Sequence, residues 1–231
     1  MSVLSCTGIP APDAALADLP WTWLGRAAYA PVLALQEQTR ARILAGASDG
    51  ERVLFVEHEP VVTLGRSATH ANLRVPPEEL ERRGVELVRT SRGGDVTVHG
   101  PGQLVIYPIV RLRHGVLEHV CRTGHAIAEE LRARGVAGAH FRRDPVGVFV
   151  GEAKIAACGV HVSRRVSIHG WALNVTRAPL ALFDLIVPCG LAHVRVTTLE
   201  DELGAPPPTL ESLCEPIARR FARVLTSIGS I

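Results

Sequence analysis

Apolar and polar positions alternate along the chain with a helical period in some stretches and a strand-like period in others. From Ala28 to Ala45, Val32, Leu35, Ile43 and Leu44 recur among Gln36, Glu37, Gln38, Arg40 and Arg42, which predicts an amphipathic helix. Val53–Val56 and Val61–Leu64 predict two short strands joined through His58, Glu59 and Pro60. Pro76–Gly84 opens on Pro, carries Glu early and Arg late and closes on Gly, as capping and the helix dipole favour. Val85–Arg89 predicts a strand running into the turn Arg92-Gly93-Gly94. Gln103–Leu112 is a long apolar run interrupted by Pro108, which predicts an edge or bulged strand rather than a central one.

Leu117–Arg134 has helical spacing and stops at Gly135. Val146–Val150, Ala153–Val162 and Val166–Val175 are rich in β-formers, with Gly151-Glu152 as the two-residue connection of a hairpin. Thr209–Ile228 predicts a helix that Pro216 either kinks or restarts. Residues 1–20 have no period and predict a loosely ordered lead-in to a single domain spanning 21–231. Strands grouped between helices, without regular βαβ winding, predict an α+β fold.

Composition changes this picture at two points. With 47% hydrophobic residues among 231 and a net charge of +2 spread along the chain, a sizeable core is expected and a dedicated nucleic-acid surface is not. No apolar run reaches the roughly 18 residues of a membrane span, and the first basic residue is Arg26, so a cytoplasmic protein is expected. Five cysteines (Cys6, Cys121, Cys158, Cys189 and Cys214) form no C-x-x-C pair, so neither a disulfide framework nor a metal site is expected. The second point is sharper. Of 25 basic residues 24 are Arg, and Lys154 is the only lysine. Arg serves as well as Lys for solvated charge but cannot release its proton at working pH, so the one retained lysine is a candidate for proton chemistry.

Three segments can carry chemistry. RGGDVTVHGPGQ, Arg92–Gln103, is glycine-rich and suited to close backbone approach to a ligand, though it is not a P-loop. In GEAKIAACGV, positions 154, 156 and 158 share one face of a regular strand, which makes Cys158 either the partner of Lys154 or a buried core residue. In VPCGL, Cys189 lies between Pro188 and Gly190 in a turn that exposes a thiol, and it is the better nucleophile candidate.

The strings VVTLGR (Val61–Arg66), RGGDVTVHGPGQLVIYPI, AKIAACGVHVSRRVSIHGWALNV and VPCG together resemble the lipoyl (octanoyl) transferase family, in order from about residue 30 to 204. The resemblance implies a sheet domain flanked by helices, of the kind shared with biotin and lipoate protein ligases. It implies that Cys189 is the acyl-accepting nucleophile and Lys154 its catalytic partner. Arg92, Gly93, Gly94, Asp95, Val96, Thr97, Val98, His99, Ala157, Cys158, Gly159, Gly170, Trp171 and Ala172 would line the acyl site, with His169 as a possible orienting residue. The implied donor is octanoyl-acyl carrier protein, whose phosphopantetheine arm belongs to the substrate. The implied acceptors are lysines of lipoyl domains of 2-oxoacid dehydrogenases and of the glycine cleavage H protein, with no ATP, metal, nucleic acid or membrane involved. Residues 1–20 match nothing in the family.

An unperturbed thiol of pKa ≈ 8.5 is only about 3% thiolate at pH 7, a deficit of roughly 2 kcal/mol that a nearby Lys154 would offset. The octanoyl chain needs an apolar slot, for which Val98, Ile155, Val160 and Ile168 are candidate walls, and its methylenes contribute roughly 5 kcal/mol on burial. Two other functions fit less well: an ATP-dependent lipoate or biotin ligase, which needs no cysteine, and a non-catalytic acyl-carrier-binding module.

Overall fold

The computed structural model describes residues 19–187 and 194–226. Seven strands form a mixed sheet: β1 (Trp21–Ala27), β2 (Arg52–His58), β6 (Gln103–Ile109), β7 (Ala139–Arg143), β8 (Val146–Val150), β9 (Ala153–Ser163) and β10 (Val166–Asn174). Their order is β1-β2-β6-β10-β9-β8-β7, with only β1 and β2 parallel. A second sheet has the order β4-β3-β5, built from β3 (Val61–Leu64), β4 (Glu86–Arg89) and β5 (Val96–His99). The helices are α1 (Tyr29–Leu44), α2 (Pro77–Arg82), α3 (Val116–Ala133), α4 (Leu180–Phe183), α5 (Leu199–Leu203) and α6 (Leu210–Thr226). The α+β expectation is met.

Alternation along the central strands splits the core into two layers. Val53, Phe55, Leu104, Ile106, Trp171 and Leu173 face α3 and α6, whereas Leu54, Val56, Val105, Tyr107 and Ala172 face α1. Trp171 is buried, and its indole N–H donates to Thr123 Oγ1 of α3 at 2.9 Å. The second sheet closes its own core, in which Val62, Leu64, Val96 and Val98 meet Leu80 of α2.

Three expectations need correction. β6 is central, between β2 and β10, despite Pro108. Its pairing with β10 runs only from Gln103 to Ile106, so Pro108 lies beyond that ladder, and its carbonyl accepts from Ser167 Oγ at 2.7 Å. β2 and β3 form as expected and enter different sheets. Pro216 does not restart the last helix: α6 runs through it, and the Ser212 carbonyl four residues earlier accepts from Arg134 Nη2 at 3.2 Å. Cys121 is disulfide-bonded, while Cys158 and Cys214 are free. The hairpin at Gly151-Glu152 forms as expected, with Gly151 at φ +55°.

Candidate active site

Lys154 owes its place to a bulge. Phe149 pairs with Lys154, Val148 with Ala156 and Gly147 with Ala157, so Ile155 is an extra residue on β9. The alternation flips there, and Lys154 shares a face with Ala157 and not with Ala156 and Cys158. That overturns the unbroken-strand expectation. Cys158, opposite Trp171 in the ladder, packs toward the α3–α6 core, where burial pushes its thiol well up and the Lys154 charge opposes this only in part. It is a core thiol.

Lys154 is 7% exposed. Its N–H donates to Arg195 O at 2.8 Å and its carbonyl accepts from Thr197 N–H at 3.0 Å, which sews Val194–Thr197 onto the end of β9. Cys189 lies outside the described residues. The chain on either side of that stretch is anchored, since Val187 N–H donates to Asn72 O at 2.8 Å before it and the Lys154 ladder follows it.

Two adjoining cavities run along the face of β9, β10 and β6 beneath the second sheet, sharing Thr97, Ala157 and Ala172 as walls. One holds Lys154 with Gln103 and Asn174. The other, larger one is lined by Arg92, Gly94, Asp95, Val96, Thr97, His99, Ala157, Cys158, Gly159, His169, Gly170, Trp171 and Ala172, all singled out by sequence, together with Tyr29, Val105 and Tyr107.

Gly93 and Val98 are not among these walls. The Gly93 N–H is spent on Val160 O at 2.9 Å, and Val98 points into the core of the second sheet. The expected slot walls fare similarly. Ile155 and Val160 pack toward the α3–α6 core and Ile168 lies in the core beneath α1, so the apolar side chains facing the cavity from the sheet are Val105, Ala157 and Ala172 instead.

Arg92 is buried and braces the loop, its Nε donating to Thr63 Oγ1 at 3.0 Å and its Nη1 to the Gly93 carbonyl at 3.2 Å. Asp95 accepts from its neighbour Val96 N–H at 2.8 Å and from the Asn72 amide. A directional polar chain links the cavities: His99 Nδ1 to Gln103 Oε1 at 2.7 Å, Gln103 Nε2 to Asn174 Oδ1 at 2.9 Å, and Asn174 Nδ2 to Thr197 O at 3.2 Å. Because Gln103 donates through its amide nitrogen, its oxygen accepts, and His99 carries its proton on Nδ1. The sequence reading missed Gln103, Asn174, Tyr29 and Tyr107, and His58, whose Nε2 meets the Tyr107 hydroxyl at 2.8 Å. Signals existed, since Gln103 and Asn174 are polar ends of apolar strands and the chain's two tyrosines both line the larger cavity.

His169 adopts φ +58°, which turns its N–H out of the ladder to donate to Gln36 Oε1 of α1 at 2.8 Å. Its Nε2 meets Ser91 Oγ at 3.3 Å. Burial is the main cause that lowers His58 to about 4, His99 to about 3 and His169 to about 3. These imidazoles are neutral at physiological pH. Burial also raises Tyr29 to about 12.

The sign of the pH effect follows. Each histidine binds its proton more weakly folded than unfolded, so its contribution to stability is present above the ordinary histidine value of 6.5 and is lost as pH falls toward 3 to 4. Each adds up to about 1.4 kcal/mol per pH unit within that window. We expect the melting temperature to fall steadily from about pH 6.5 to about pH 5. A flat profile there, measured by circular dichroism, contradicts buried neutral histidines.

The mixed sheet with a second small sheet over an apolar groove is the fold of lipoate- and biotin-attaching enzymes. A lipoate-protein ligase A bound with ATP superposes with TM-score 0.72 at 15% identity over 90% of this chain and 86% of its own. A biotin protein ligase from Aquifex aeolicus gives 0.56 at 15% identity over 89% and 70%. The chain belongs to the lipoyl protein ligase A/B catalytic domain family, whose model matches residues 28–222. Among its curated relatives, an octanoyltransferase of Acidobacterium capsulatum is 43% identical over 217 residues, 87% of each chain. One from Solibacter usitatus is 43% identical over 204 residues, 87% of this chain and 90% of its own. The resemblance read from the motifs is borne out.

Proposed function

We propose that this chain is an octanoyltransferase of protein lipoylation, taking octanoyl from its acyl carrier protein thioester and delivering it to a lysine of a lipoyl domain. The observation that carries this is a single buried lysine at the end of an apolar groove, in a chain 43% identical to octanoyltransferases. Cys189 attacks the thioester carbonyl, and the carrier's pantetheine thiolate departs, taking up the cysteine proton by way of Lys154. The acyl-enzyme is then attacked by the acceptor amine, which forms the amide, and Cys189 regains a proton from that nitrogen.

Neutral His99 and His169 add no charge beside the acyl chain. Thioester-to-amide transfer is downhill, so neither ATP nor a metal is required, and we place the reaction in the cytoplasm. Among the described residues no helix is long and apolar enough to cross a membrane.

Intact mass after mixing the protein with octanoyl-acyl carrier protein tests this directly. The expected result is one added octanoyl on Cys189, mapped by peptide, that vanishes when apo lipoyl domain is supplied. Transfer from free octanoate that requires ATP and no acyl carrier protein makes the chain a ligase instead.

A further inference from the structure

Lys154 is approached from β8 by two residues that the transfer chemistry does not name. Phe149 stands opposite it in the β8–β9 ladder, and Lys154 Nζ lies over the Phe149 ring, 5.3 Å from its centroid. Phe149 is fully buried. Gly147 lies beside the lysine stem: a Cβ there would stand 2.9 Å from Lys154 Cε, 3.0 Å from Phe149 Cε2 and 2.9 Å from the Ala156 carbonyl. Those contacts are too close for any residue but glycine without displacing a neighbour.

Fixed at its backbone by Arg195 and Thr197, the lysine is therefore guided along its stem by an absent side chain and met near its tip by an aromatic face. Such a face attracts an ammonium through the ring quadrupole. A second cation, Arg142, has Cζ 4.3 Å from the same centroid, but it is held by both carboxylate oxygens of Glu152 at 3.0 and 2.9 Å. Its charge is offset by that pair.

We propose that Gly147 and Phe149 are positioning residues, a seat that aims the Lys154 amine into the cavity it shares with Thr97, Gln103 and Asn174. This rests on the role given to Lys154 in acyl transfer. A lysine carrying only its backbone restraints would sample several rotamers, and a misplacement of about 1 Å can cost 10²-fold in rate.

The test uses the chain's own composition. With one lysine in the sequence, selective ¹³C-lysine labelling gives a single side-chain resonance set. In the wild type the ε-methylene protons should resonate upfield of free lysine through the Phe149 ring current. Phe149→Leu should return them to the free-lysine position and lower kcat by about tenfold or more, with the KM for octanoyl-acyl carrier protein within about twofold. Phe149→Tyr, which keeps the ring face, should restore both. If Phe149→Leu does not fold, Gly147→Ala carries the test, with the same loss of kcat and a displaced lysine resonance.

A wild-type lysine at the free position, or a variant with a moved resonance and undiminished kcat, overturns the seat. Failure of the wild type to transfer octanoyl overturns the functional reading instead, and the resonance still reports the geometry.

Discussion

Lys154→Arg is expected to lower octanoyl transfer to the lipoyl domain by roughly 10²- to 10⁴-fold, the range for losing a positioned acid–base group. Charge survives in this variant and proton release does not. The two half-reactions should therefore separate. Formation of the acyl-enzyme on Cys189 keeps the thiolate-stabilising charge, which a guanidinium still supplies, and loses the proton relay to the leaving thiolate, so octanoyl adduct should still accumulate by intact mass but more slowly. Delivery to the acceptor needs its amine deprotonated, and that step should stall. Lys154→Met removes both contributions and should slow adduct formation further. Rapid-quench assay of each half-reaction distinguishes them, and near-normal overall turnover in Lys154→Arg removes the proton role altogether.

A Cβ at Gly170 would stand 2.2 Å from the Ile106 carbonyl oxygen and 2.7 Å from Pro108 Cδ. Both atoms belong to β6, at the middle of the sheet, and neither can swing aside as a long side chain could. Gly170→Ala is accordingly expected to destabilise by about 3 kcal/mol or more, a fall in melting temperature of roughly 6–12 °C for a domain of this size. Gly159 is the internal comparison. It lines the same cavity, but its added Cβ would meet the Gly93 carbonyl at 3.0 Å and Arg92 Cδ at 3.3 Å, on a loop and a side chain that can give way. Its Ala variant should melt less than half as far below the wild type. Equal shifts in a calorimetric scan would mean that the closeness of β10 to β6 is not what demands glycine.

The long helices and the Gly151-Glu152 hairpin were legible because periodicity and turn chemistry agree there. β1 and β7 were not, since both lie at edges of the large sheet where burial is partial and alternation correspondingly weak. Pro108 argued against a central β6, because the sequence does not show that pairing with β10 stops two residues earlier. At the site, the motif strings placed thirteen expected residues on the walls of the larger cavity, and they also marked Lys154. Periodicity then misassigned their faces, since one inserted residue, Ile155, reverses the alternation of β9. The slot walls were misjudged for a different reason: hydrophobicity marks Ile155, Val160 and Ile168 as buried, but not that the first two face the α3–α6 core or that Ile168 is covered by α1. Phe149 gave no signal at all, being one apolar residue in an apolar strand.

An enzyme that carries an activated acyl group destined for a lysine is exposed to modifying its own surface, where any solvated ε-amine near the site would compete with the acceptor. This chain offers no such target. Its only lysine is 7% exposed and pinned in a strand, and the remaining 24 basic side chains are guanidinium groups that stay protonated and resist acylation. Every solvent-facing lysine amine that reaches the thioester must then come from another protein, so self-acylation of side chains is suppressed by composition and no separate shielding is needed.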